Sequence, residues 1–110
     1  MKAPYKAIEY IIENAPKFAE AKAQRVFIEN FLRTKKSLLM KEAMARGIDS
    51  AVSQEREAYS HIEYADLLRG LMVAIEKEEA LKWMLVAAQM KADIWRSEQA
   101  SERLGVKTTE

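Results

Sequence analysis

Apolar residues recur at steps of three and four along most of the chain, the signature of amphipathic α-helices. The longest such line is Leu67, Leu71, Ala74, Glu78, Leu81, Leu85, Ala88, Ala92 and Trp95, with Glu78 its one charged member. Steps that alternate between four and three make it a heptad seam, a surface for packing against another long helix. Leu68, Met72, Ile75, Met84 and Ile94 widen the face beyond a simple seam. Upstream, Phe27, Ile28, Phe31, Leu32, Leu38, Leu39 and Ala43 form a second broad apolar face. Lys35 and Glu42 lie seven apart on it. They either snorkel at its edge or form a buried polar pair that sets register. Tyr5, Ile8, Ile11 and Ile12 give a third, shorter face at helical spacing.

Breakers and caps divide these faces into elements. Pro4 suits the opening turn of a first helix over residues 4–14. A kink or a short break is expected at Ala15-Pro16, because the residue before proline is biased away from helix. Asn14 is then placed to cap the next helix. That helix is expected over residues 16–46 and stops at Gly47, a favoured C-terminal cap residue. Residues 47–60 are long for a bare helix–helix link, so a short helix is expected over residues 51–59. Ser60 and Glu63 read as a capping box opening a third helix over residues 61–104. Gly105 is its expected end, with residues 106–110 a disordered, frayed tail. Gly70 lies inside that helix, at a cost of about 1 kcal/mol relative to Ala.

The expected fold is therefore all-α and elongated, a single domain over residues 1–105. It is an antiparallel helical hairpin: two long helices, a short N-terminal helix and a short connecting helix. So thin a hairpin cannot bury both wide faces within one chain. An oligomeric bundle is expected, with Leu67, Leu71, Leu81, Leu85 and Trp95 at the interface. A compact three- or four-helix bundle with a bent third helix is the alternative.

Composition narrows the function. The chain has 110 residues, no Cys and one His, which excludes a disulfide scaffold and any thiolate metal site. Three Gly and two Pro leave no Gly-rich phosphate loop. His61 has no Glu three residues before it, so a ferritin-like di-iron motif cannot form. Glu76-x-x-Glu79 and Glu63-x-x-Asp66 have the spacing of Mg²⁺-holding carboxylate ladders, but lie on one helix in the wrong order. No serine has a readable His–Asp arrangement beside it. A non-enzyme without metal or cofactor is expected. The longest apolar run, residues 83–88, is far short of a membrane span, and the N-terminus lacks a signal-peptide core. A cytoplasmic protein with no membrane partner is expected.

Charge is uneven along the chain. The net charge is +1, yet residues 17–46 hold eight basic residues against three acidic ones, a net +5. Residues 47–60 and 61–104 each sum to −2. Two readings stay open. The basic helix pairs with the acidic third helix through Glu76, Glu78 and Glu79, or it offers a surface that a phosphate backbone follows. In the second reading Arg25, Arg33, Lys35, Lys36, Lys41 and Arg56 contact phosphates, and Tyr59 stacks on a base. Trp83 lies off the seam and is a further interface candidate.

Two stretches carry a family resemblance. One is Asn30-Phe-Leu-Arg-Thr-Lys-Lys-Ser-Leu-Leu-Met-Lys-Glu-Ala43, continuing to Gln54-Glu-Arg-Glu-Ala-Tyr59. The other is Glu78-Glu-Ala-Leu-Lys-Trp-Met-Leu-Val-Ala-Ala88, followed by Asp93-Ile-Trp-Arg-Ser-Glu98. Together they resemble small all-helical proteins of phages and prophages encoded beside recombination genes. More distantly they are similar to the UvsY-type recombination mediators of T-even phages. The resemblance implies a homo-oligomer that binds single-stranded DNA and assists a recombinase against single-strand binding protein. Those mediators carry Lys-x-Arg shortly before a tyrosine; here the stretch is Gln54-Glu55-Arg56 and then Tyr59. Arg56 carries over and the lysine does not, so the basic helix has to contribute more. The other expectation is a structural or protein–protein interaction module of a phage or prophage, without nucleic-acid binding.

Overall fold

The computed structural model describes residues 3–109, with side chains as far as Gly105. Every regular element among the described residues is an α-helix: α1 (Tyr5–Ala45), α2 (Ala51–Ser60) and α3 (Ile62–Thr109). The all-α class is therefore established.

Pro16 lies inside α1 and does not end it, so the expected break and separate N-terminal helix are corrected. A mid-helix proline removes one N–H and crowds the carbonyl four residues back, at a cost of about 3 kcal/mol. The apolar phase explains why the helix survives it. Ile11 and Phe18 lie seven residues apart, one on each side of Pro16, and both are half-buried. Interrupting the helix between them would throw the two out of register. Asn14 does not cap a new helix either; its side-chain amide donates to the Tyr10 carbonyl at 2.9 Å, one turn back.

Gly47 ends α1 as expected. Its φ of 98° is the left-handed conformation that an L side chain resists. The N–H of Gly47 donates to Met44 O at 3.0 Å and that of Ile48 to Ala43 O at 3.1 Å. This is the Schellman pattern, which satisfies carbonyls that the helix end leaves open. Ser50 then caps α2, its hydroxyl accepting from Ser53 N at 3.1 Å. The Gln54 amide donates to Ile48 O at 2.8 Å and fastens α2 to the turn.

The start of α3 is displaced by one residue from the Ser60–Glu63 capping box. Ser60 closes α2 instead, its hydroxyl donating to Arg56 O at 2.9 Å. His61 is the cap: its Nδ1 accepts from Glu63 N at 3.0 Å, and its carbonyl accepts from Tyr64 and Ala65 N–H. Imidazole nitrogen thus does the work usually given to a hydroxyl or carboxylate. The Glu63 side chain reaches Lys35 rather than back to the cap. At the other end, α3 continues through Gly105 to Thr109. Gly105 does not adopt the left-handed φ that makes glycine a helix terminator. The expected disordered, frayed tail of residues 106–110 extends to Glu110 and to side chains that lie outside the described residues.

The residues fall into two compact units. One runs from Glu20 to Glu78; the other joins the chain up to Ala19 with the chain from Glu79 on. In the first, Ala21, Leu39, Ala43, Ala58 and Glu78 are buried. Half-buried Ile28, Leu32, Lys35, Leu67, Leu71 and Ala74 surround them. In the second, Ala88 is buried, and Ala7, Ile11, Phe18, Leu81, Leu85, Ala92 and Trp95 are half-buried. Every position of the α3 heptad seam is thus buried or half-buried by the chain's own contacts. Among the described residues, Leu39 is the only side chain larger than alanine in the buried apolar set. No described helix is long and apolar enough to cross a membrane.

Candidate nucleic-acid interface

The seven residues singled out for nucleic-acid contact all lie in the 20–78 unit, and the fold divides them. Arg25, Lys35 and Lys36 are half-buried and each meets a carboxylate. Arg25 lies on α1, three residues before half-buried Ile28 and seven before half-buried Leu32. Its Nε donates to Glu78 Oε2, its Nη2 to Glu78 Oε1 at 3.1 Å, and its Nη1 to Glu29 at 2.9 Å. Glu78 is only 8% exposed, so the charged member of the α3 seam faces a guanidinium fork that satisfies both oxygens. The hydrogen bonds to Glu78 and then Glu29 raise the Arg25 pKa further, so it stays charged.

Lys35 Nζ lies 2.8 Å from Glu63 and holds that carboxyl below its ordinary range, with burial acting against the shift. The pair answers the sequence question about Lys35: it is half-buried at the edge of the face, and its partner is Glu63 rather than the exposed Glu42. Glu78 meets Arg25 and Glu63 meets Lys35, so partner positions run in opposite directions along α1 and α3. Lys36 Nζ stands 4.8 Å from the centre of the Tyr59 ring and 3.5 Å from Glu55. Tyr59 is the main cause of its raised pKa, burial opposes the shift, and Glu55 adds to it. Tyr59 also packs edge-on against Tyr64, with centroids 5.3 Å apart. Arg46 approaches Glu57 at 3.7 Å.

Arg33, Lys41 and Arg56 are different. All three are exposed, and none has an ion-pair partner among the described residues. Tyr59 is about half exposed. The unit therefore keeps three free cations and one accessible aromatic ring out of the seven residues.

Of the three acids proposed to neutralise the basic helix, only Glu78 does so. Glu79 accepts from the exposed Trp83 indole at 3.0 Å. Sequence reasoning missed Glu55 and Glu57 of α2 and Glu63 at the start of α3. The signal was present in the −2 charge of residues 47–60, but which helix those carboxylates face depends on how α2 folds back. No group of three or more His, Asp or Glu side chains is arranged to hold a metal ion among the described residues. The hollow lined by Lys6, Ala7, Tyr10, Met84, Ala87, Ala88 and Lys91 measures about 190 Å³ and has no carboxylate, histidine or serine in its lining. No protein-family model matches the chain, and neither does any curated protein or solved structure.

Proposed function

We propose that this chain is a non-catalytic binding protein that works as an oligomer of antiparallel helical hairpins. Its ligand in this reading is single-stranded DNA, held without sequence preference, in the manner of a phage-type recombination mediator. The observation that carries the ligand assignment is that three of the candidate contacts, Arg33, Lys41 and Arg56, are exposed without an ion-pair partner among the described residues, with Tyr59 accessible in the same unit. An oligomer repeats these three positions in every protomer. Repetition converts weak, screened contacts into binding along a strand.

Fluorescence anisotropy with a labelled 30-nucleotide strand at low salt tests this. Three phosphate contacts per protomer predict a slope of log K against log salt of about −2 per protomer. Removing all three cations should abolish most of that slope, whereas Lys35→Ala should leave it nearly unchanged. No binding at tens of micromolar protein, or binding indifferent to salt, refutes the assignment.

A second reading, an interaction module without nucleic acid, is favoured by the ion pairs of Arg25, Lys35 and Lys36, which remove charge from the basic helix. It predicts a defined oligomer that ignores the labelled strand.

A further inference from the structure

Beside its seam, α3 carries a second apolar line within the 20–78 unit: Leu68, Met72 and Ile75, again at steps of four and three. They are 44%, 64% and 39% exposed. A helix with two adjacent apolar lines packs against two neighbours. The α1 helix supplies the first, through the seam and the Arg25–Glu78 and Lys35–Glu63 pairs. The second stays exposed at all three positions.

The edge of this line is charged in a particular order. Arg69 and Glu76 lie seven residues apart, so both fall on one edge of the Leu68–Met72–Ile75 line. Arg69 is exposed and bonds only to Asp66, three residues back, at 2.8 Å. Glu76 has no partner among the described residues. In an antiparallel pair of identical helices related by a two-fold axis, like edges face each other. With the axis at Met72, Arg69 of each copy lies opposite Glu76 of the other, and Leu68 lies beside Ile75. The line is therefore complementary to itself, in apolar surface and in charge.

We propose that a second copy of this chain docks here, α3 against α3, antiparallel about a two-fold axis at Met72. The proposal rests on the oligomer reading above and assigns its surface. It moves the contact from Leu67 and Leu71, which the chain already half-covers, to the exposed line beside them.

The chain has no cysteine, so a single introduced one reports the geometry without background. Under mild oxidation the full-length Met72→Cys protein should cross-link to a disulfide dimer, because residues at a two-fold axis bring their Cβ atoms together. Asn30→Cys, at an exposed site on α1, should remain uncross-linked. Arg69→Glu should weaken self-association about tenfold, since two symmetric pairs become two repulsions. Combining it with Glu76→Arg should restore the original affinity. Light scattering on the unmodified chain separates the two ways to fail. A strict monomer overturns the oligomer reading and this proposal together. An oligomer that Met72→Cys does not cross-link, and that the charge exchange leaves unmoved, overturns the assigned surface alone.

Discussion

Leu38 and Leu39 are adjacent in α1 and chemically identical, yet Leu39 is 2% exposed and Leu38 is 48% exposed. Truncating each to alanine isolates burial from helix propensity, since the propensity change is the same at both sites. At a fully buried leucine the change removes the transfer free energy of the lost carbons and leaves a cavity, about 3–5 kcal/mol together. At half exposure, the loss is closer to 1 kcal/mol, because much of the side chain stays in water in either state. Domains of this size have about 5–15 kcal/mol of total stability. A core this sparse places the chain toward the lower end, so Leu39→Ala should remove most of it. For a domain of about 100 residues the Leu39 change should lower Tm by about 15–30 °C, and the Leu38 change by about 4–8 °C. Thermal unfolding followed by circular dichroism at 222 nm measures both, at one fixed protein concentration because self-association shifts Tm. Equal shifts, or a larger one for Leu38→Ala, would refute the burial pattern on which the α1 packing rests.

Four further outcomes follow from two glycines, one helix cap and one ion pair. Gly70→Ala should stabilise the protein by up to about 1 kcal/mol, because a methyl there meets nothing within 4 Å. Gly47→Ala should destabilise by about 1 kcal/mol, since its φ is 98°; urea titration of both variants should give shifts of opposite sign. His61→Ala should cost about 0.5–1 kcal/mol and Ser60→Ala close to nothing, because His61 rather than Ser60 caps α3. Equal losses would return the cap to Ser60. The Glu63 carboxyl is held below its ordinary range by Lys35. A depressed acid stabilises the fold above its unfolded pKa and loses that contribution as pH falls through the folded value. Wild type should therefore lose more stability than Glu63→Gln between about pH 5 and 3; parallel acid-titration curves would contradict the pair.

Much of the architecture was legible in the chain, and the reasons are local. The nine-residue heptad line from Leu67 to Trp95 predicted which side of α3 is covered, because period and burial share one geometric cause. Gly47 predicted the end of α1, because only glycine takes its φ without strain. The failures are equally specific. Pro16 looked like a boundary because the rule about proline is local, while the apolar phase that carries α1 across it spans Ile11 to Phe18. Ser60 looked like the cap by residue type, but its hydroxyl was taken by the end of α2. Among the candidate phosphate contacts, residue type alone could not separate Arg33 from Lys35; one side chain is exposed and the other meets Glu63.

By itself the sequence determined the helical class, the two long apolar faces, the absence of cysteine chemistry and the uneven charge along the chain. These depend on residue identity and spacing within one element, where backbone geometry fixes which side chains share a face. Only the tertiary structure decided which cations remain free. A charge is neutralised or not according to carboxylates tens of residues away, and their approach depends on how α2 turns and where His61 starts α3. The same holds for the apolar faces: α1 covers one line on α3 and leaves its neighbour bare, a choice between adjacent stripes that a single helix cannot make alone.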